Sequence, residues 1–465
     1  HNAFEWRFEF PEVLADDGSY IGFDVVIGNP PYIKEYEGKE IFDGLRENEV
    51  YQGKMDIWYM FTADGIKLLK DKGVLNFIAP NNWVTNSGAS KMRNFMLNNS
   101  KFLNLVDFGS YMVFDSASIQ TMIMQFQKDK ANDYNFDYRK IIEIKPILDD
   151  AINIIENIKN EKIEYLEPKI VIENFIDKGL TFNSAINEVL LDKIFSNSNF
   201  ELDAKTEVAQ GIVFPQDFVN KNAKEKLNHT VEVGEGIFGL SEAERESLNP
   251  TNKENELLKP YFTSEQFSRY YANRKNNLFL IYTSSKFNNS DAILPYPNIK
   301  KHLDKFQDVI TSSNKPYGLH RARNEDFFIG EKIIVQRKCP NKPVFVYANF
   351  DSYVSATFYV IKTKRLNQKY LVGLLNSKLI EFWLRNKGKM QGNNFQLDKE
   401  PLLNIPLVSA DNFNQEIIIS KVNNILNIKQ QNPKADTSAL EKEIDQMVYK
   451  LYNLTPEEIE IVENS

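Results

Sequence analysis

The 465-residue chain has a single cysteine, Cys339. It cannot close a disulfide within itself or build a cysteine zinc cluster, and this usage fits a reducing cytoplasm. Histidine is nearly as scarce: His1, His229, His302 and His320 have no metal-ligand spacing, so no structural metal is expected. There is no run of eighteen apolar residues and no basic-then-apolar start, so neither a spanning helix nor a signal peptide is expected. What remains is ordinary for a soluble globular protein of two to three domains, with 42% apolar and 26% charged residues.

The net charge of -8 is unevenly spread. Residues 1–50 carry 12 acidic and four basic side chains, residues 259–342 carry 15 basic and seven acidic, and residues 411–465 carry ten acidic and five basic. A basic centre between acidic ends is the distribution expected when one region meets phosphate.

The most informative stretch is Ile21 to Tyr32, I-G-F-D-V-V-I-G-N-P-P-Y. Phe23 to Ile27 has the length and β-branched content of a buried strand in a parallel sheet. Pro30 and Pro31 end it, because proline cannot donate to a ladder and fixes φ. Asn29 is thereby held at a strand's carboxyl end, where open α/β sheets bind ligands. Its amide can both donate and accept, Pro30 keeps a carbonyl, and Tyr32 offers a flat face. Together they suit a pocket for an exocyclic amino group on an extruded heterocycle.

Asn29-Pro30-Pro31-Tyr32 after F-D-V-V-I-G resembles the catalytic motif of adenine-specific, amino-group DNA methyltransferases. The lead-in F-E-W-R-F-E-F-P-E-V-L, from Phe4 to Leu14, resembles that of type IIG restriction–modification enzymes, and D-I-W-Y at 56–59 also matches. The resemblance implies sequence-specific methylation of DNA with S-adenosylmethionine as cofactor. It also implies restriction endonuclease activity elsewhere in the full-length protein. By the same likeness Phe114, in Asp107-Phe-Gly-Ser-Tyr-Met-Val-Phe114, packs on the target adenine. A carbon-5 cytosine methyltransferase would need a cysteine nucleophile after proline; here Cys339 precedes Pro340. Cytosine amino methylation stays open, although Asn rather than Ser or Asp in the first position favours adenine.

In such enzymes a glycine-rich strand-to-helix turn for the cofactor precedes the Asn-Pro-Pro-Tyr motif. The 28 residues before Asn29 contain only the turn signal Asp17-Gly18. The expectation is a carboxyl-terminal portion of a longer enzyme, with the base pocket but without the main cofactor motif, that does not methylate alone. Its cofactor-binding and nuclease regions would lie amino-terminal in the same protein.

The expected architecture is α/β, a partial doubly wound Rossmann-like methyltransferase sheet in residues 1–130. Its pieces are a polar loop at 38–53, a helix over 56–69, a strand over 74–79, a helix over 90–97, and strands over 102–108 and 118–126. A mainly helical connector follows over 131–200, then a mixed α+β target-recognition domain over 201–410 and a helical hairpin over 411–465. Leu257-Leu-Lys-Pro260, Tyr317-Gly-Leu-His-Arg-Ala-Arg323, Lys332-Ile-Ile-Val-Gln-Arg337 and Tyr370-Leu-Val-Gly-Leu-Leu-Asn376 resemble the type IIG recognition domain. Candidate contacts to double-stranded DNA are Arg321 and Arg323, which alternation would place on one face. Arg337, Lys338, Lys387, Lys389, Gln391, Asn393 and Asn394, around a glycine-containing loop, complete the set. Two other readings remain: a DNA-binding specificity module without its own catalysis, and an anti-phage methyltransferase of the same architecture.

Overall fold

Apolar runs punctuated by glycine and proline become strands at the expected places. The computed structural model describes residues 6–114, 119–311, 314–391 and 394–465, and its contacts divide the chain into two units, His1–Leu190 and Leu191–Ser465. Phe4, Glu5 and Ser118 lie outside the described residues.

In the first unit the strands are β1 (Phe23–Gly28), β2 (Leu69–Pro80), β3 (Lys101–Asp107), β4 (Thr121–Gln127), β5 (Asp133–Asn135), β6 (Asp137–Ile141), β7 (Ile163–Leu166) and β8 (Lys169–Val171). Six of them form one mixed sheet in the order β1-β2-β4-β3-β6-β7, and β5 pairs with β8. β1 and β2 are parallel, connected through the helix Trp58–Leu68, but β4 inserts antiparallel between β2 and β3. The core holds Trp83 edge-on against Phe102 and Phe126, with centroids 6.1 and 6.0 Å away.

Two expectations fail here. β1 is an edge strand, not a buried one: it pairs only with β2 among the described residues, and Val25 and Ile27 are 57% and 77% exposed. An apolar run reports composition, not which neighbours arrive. The stretch 131–200 is not mainly helical. Alongside the helices Leu148–Ile155, Ile172–Phe175 and Ala185–Ser196 it contains β5 to β8, whose three to five residues are too short to show alternation.

The second unit contains β9 (Val208–Gln210), β10 (Gly239–Ser241), β11 (Leu258–Phe262), β12 (Phe267–Ser268), β13 (Tyr270–Ala272), β14 (Leu278–Ile281), β15 (Glu331–Gln336) and β16 (Lys338–Pro340). Then come β17 (Phe345–Asn349), β18 (Tyr353–Val354), β19 (Phe358–Ile361), β20 (Met390–Gln391) and β21 (Asn394–Gln396). They form sheets β10-β14-β11-β18, β12-β13-β17-β15-β19-β9 and β16-β21-β20. The two expected tail helices are Asn412–Gln431 and Ser438–Leu451. A third, Pro456–Glu463, follows them, started by a Thr455/Glu458 capping box with proline in its first turn. The Arg269 guanidinium ties this tail down through Glu441 while bonding the Asn376 side chain. No helix among the described residues is long and apolar enough to cross a membrane.

Candidate functional site

β1 ends at Gly28, and the next four residues turn at its carboxyl end. Asn29 and Pro31 are exposed, Pro30 is buried, and Tyr32 is half-buried. The Tyr32 hydroxyl lies 2.6 Å from Asn29 Oδ1 and 2.7 Å from the Ile78 carbonyl at the same end of β2, and its one proton is shared between them. Asn29 is therefore oriented by its own motif, with the second lone pair of Oδ1 still available. Burial, helped by the charge of Asp56, pushes the Tyr32 phenol up to about 12, so it stays a donor at neutral pH.

The chain leaving Tyr32 is pinned by a short ladder. The Ile57 amide donates to Ile33 O and the Glu35 amide to Met55 O, each at 2.9 Å. This brings Asp56, of the D-I-W-Y segment, beneath the motif. Asp56 is 8% exposed, and its Oδ1 is covered and without a hydrogen-bond partner. Burial pushes its carboxyl up to about 6 against the lowering pull of the Trp58 and Ile33 amides and Lys34. Sequence reasoning took the aromatics of this segment as packing, and Trp58 and Tyr59 are indeed buried, but it passed over Asp56. The loop at 38–53 is also tied down: Tyr51 donates to Glu35 at 2.6 Å, the Lys91 amide donates to Gln52 at 2.7 Å, and Phe42 and Val50 are buried.

Phe114 reaches the same place from the end of β3. Asp107, nearly buried, accepts from the Asn81 side chain and from the Gly109 amide, both at 2.9 Å. Gly109 has φ +58°, and a Cβ there would sit 2.2 Å from the Ile141 carbonyl, so the turn admits only glycine. The loop it starts sets the Phe114 ring 6.4 Å from that of Tyr32 at 62°. The two rings therefore make a wedge.

In the second unit the candidate cations fall around the end of β19. Arg321 is exposed and hydrogen-bonds Val213 through its backbone in both directions. Arg323 is half-buried in a left-handed conformation, φ +69°, which breaks the alternation expected of 321–323. Even so, burial and the nearby charge of Arg321 both lower its pKa. Its Nη2 donates to Gln210 Oε1 at 2.6 Å and its Nε to Gly211 O at 3.3 Å. Arg337 pairs with Asp398 at 2.5 Å, and Lys389 reaches the same carboxylate at 3.5 Å. Tyr359 stands among them, its phenol raised by burial and Asp398 and lowered by Arg337 and Arg323.

Lys338 begins β16 and is exposed, and Lys387 ends the helix Lys378–Lys387. Gln391 and exposed Asn394 pair through their backbones in the β20–β21 hairpin, while Gly392 and Asn393 lie outside the described residues. Gln210 and Asp398, the partners that hold these cations, were missed in sequence; only the Q-G-I-V-F-P run at 210–215 hinted at the first.

Residues 1–114 match the family described as Eco57I restriction-modification methylase, and residues 259–407 match the TaqI-like C-terminal specificity domain. The chain is 27% identical over 417 residues to the type II methyltransferase M.HindII of Haemophilus influenzae, covering 84% of this chain and 75% of that protein. It is 25% identical to the putative type II restriction enzyme and methyltransferase RM.MjaORFECS2P of Methanocaldococcus jannaschii, over 98% of this chain but 33% of that one. The fold is similar to that of the type IIL restriction-modification enzyme MmeI, solved in complex with DNA, at TM-score 0.61 and 12% identity. That match covers 95% of this chain and 56% of the solved one, so the chain spans little more than half of it. The chain is thus a type II restriction–modification methyltransferase homologue, in which an Eco57I-like methylase region is followed by a TaqI-like C-terminal specificity domain.

Proposed function

We propose that this chain supplies the base pocket and the recognition surface of a site-specific DNA methyltransferase acting on the exocyclic amino group of adenine. The observation that carries this reading is the Asn29–Tyr32 hydrogen bond at the carboxyl end of β1, with Phe114 facing the Tyr32 ring. The amino nitrogen of adenine is a weak nucleophile because its lone pair is delocalised into the ring. Asn29 Oδ1 and the Pro30 carbonyl accept its two protons, and the same dipoles stabilise the positive charge that grows on nitrogen in the transition state. Tyr32 and Phe114 offset the loss of stacking when the base leaves the duplex. Arg321, Arg323, Arg337, Lys338, Lys387, Lys389, Gln391, Asn393 and Asn394 are the proposed contacts to double-stranded DNA.

The methyl donor is S-adenosylmethionine, which when bound supplies an electrophilic methyl group. In this reading the glycine-rich turn that holds its methionine part comes from outside these residues. The edge of β1, unpaired among the described residues, supports continuation of the sheet by strands from elsewhere in the protein, and exposed Val25 and Ile27, on one face of the strand, support cover of that face. The same observation favours a second reading for the chain taken alone, a specificity module that recognises DNA without catalysis of its own. Endonuclease activity, which the name of the Methanocaldococcus protein includes, would belong to other regions of a longer protein.

Expression of the complete gene product carrying these residues in a methylation-free bacterial host, followed by sequencing that detects modified bases, tests the reaction. N6-methyladenine should mark one recurring sequence and vanish with Asn29→Ala. Methylated cytosine, or marks indifferent to Asn29, would overturn it.

A further inference from the structure

The strongest unexplained feature of the second unit is how Arg323 is held. A non-glycine residue in the left-handed region is strained and persists only where its surroundings over-determine it. Here they do so from three sides. The Tyr282 hydroxyl lies 3.2 Å from the Arg323 carbonyl and 3.3 Å from that of Ala322. Gly211 O and Gln210 Oε1 take the Nε and one Nη2 proton of the guanidinium. Gln210 is itself fixed, because its Nε2 donates to the Ala356 carbonyl at 3.3 Å. That approach depends on Gly211, where a Cβ would lie 2.1 Å from the Ser355 carbonyl.

Both guanidinium acceptors are neutral, and among the described residues no carboxylate pairs with Arg323 or with Arg321 beside it. Arg337 and Lys389, by contrast, share the single carboxylate of Asp398. Arg323 therefore keeps its full charge, a locked rotamer, and the Nη1 end with the second Nη2 proton still to donate. A cation meant for phosphate needs no such fixing, since a phosphate accepts from many directions. A base edge accepts from one, and reading it requires a side chain whose orientation is set beforehand.

We infer that Arg323 is a base-reading residue that forks end-on onto a guanine in the major groove, with Gln210 as its positioning residue and Arg321 on adjacent phosphate. This rests on the reading of the chain as a DNA-recognition protein. The two acceptors that a guanine edge presents, O6 and N7, match one Nη1 proton and the remaining Nη2 proton, two of the three donors that Gln210 and Gly211 leave free.

Selection of a randomised duplex library by the full chain, with sequencing of what is retained, tests this with no target sequence assumed. The wild type should enrich a motif containing guanine. Gln210→Leu and Arg323→Lys should each flatten the preference at one guanine position by about tenfold or more while the rest of the motif survives. Arg321→Ala should weaken all sequences alike and reduce the salt slope by about one. Thermal melting of each variant separates loss of fold from loss of reading, and Arg323→Lys covers the case in which Gln210→Leu does not fold. An unchanged motif in folded Arg323→Lys or Gln210→Leu, or a loss spread evenly over all positions, overturns the inference alone. A wild-type chain that enriches nothing overturns both it and the recognition function beneath it.

Discussion

Tyr32 carries two separable contributions, a ring and a hydroxyl. The hydroxyl orients Asn29, and a hydrogen bond of that kind is worth about 1 kcal/mol, whereas an aromatic face under a base is worth roughly 1 to 3 kcal/mol. In the intact protein Tyr32→Phe should therefore slow methyl transfer by about five- to tenfold, and Tyr32→Ala by about a hundredfold or more. Equal losses in single-turnover assays would mean that the ring does not stack. Because the phenol is held at about 12, the pH profile of the wild type should show no Tyr32 limb below pH 10. The four-residue motif was legible in sequence because all its parts are adjacent. The groups that orient the neighbouring pieces were not: Asn81 meets Asp107 across 26 positions, and Gln210 meets Arg323 across 113. Only folding makes such pairs neighbours, and no local period announces them.

Among the elements, β15 has a buried cation that its apolar neighbours Ile333, Ile334 and Val335 would not suggest. Lys332 Nζ donates to Gly330 O at 2.7 Å and to Phe350 O at 2.6 Å, which uses two protons, the number a neutral amine has. Burial pulls its pKa from 10.5 down to about 7, with Asp351 resisting and Lys362 assisting. The unfolded chain keeps this proton up to about 10.5 and the folded one releases it near 7, so the unfolded state binds more protons between those values. Stability should rise with pH across that window, by on the order of 3 kcal/mol between pH 7 and 9.5. Urea denaturation should show this slope in the wild type and lose it in Lys332→Met; an equal slope in both would mean that the amine stays charged when folded. Short β-like runs of this unit are readable in the sequence: those at 278–282, 333–336, 344–347 and 357–361 coincide with strands to within a residue. What sequence could not supply is their order, because β9 reaches β19, and β13 reaches β17, over long separations.

For the molecule as a whole, the decisive feature is the open edge of β1. A parallel strand with apolar side chains on view is stable in water only at a cost of about 25 cal/mol for each Å² of apolar surface left uncovered. Edge strands in folded proteins are usually short, charged or covered. β1 has six residues, exposes Val25 and Ile27 on one face as well as its edge, and has its only charged residue, Asp24, paired with Lys70. In the proposed reading the cradle for the cofactor's methionine part comes from outside these residues. Calorimetry with S-adenosylmethionine should therefore show no heat of binding to the 465-residue chain, while duplex DNA added to the same chain does. A longer protein that supplies strands to β1 should, on the same reading, bind the cofactor and show β1 less open to hydrogen exchange. Micromolar cofactor binding by the chain alone would place a cofactor site within these residues. The base pocket and the cofactor site would then share one unit, and the open edge of β1 would need another occupant.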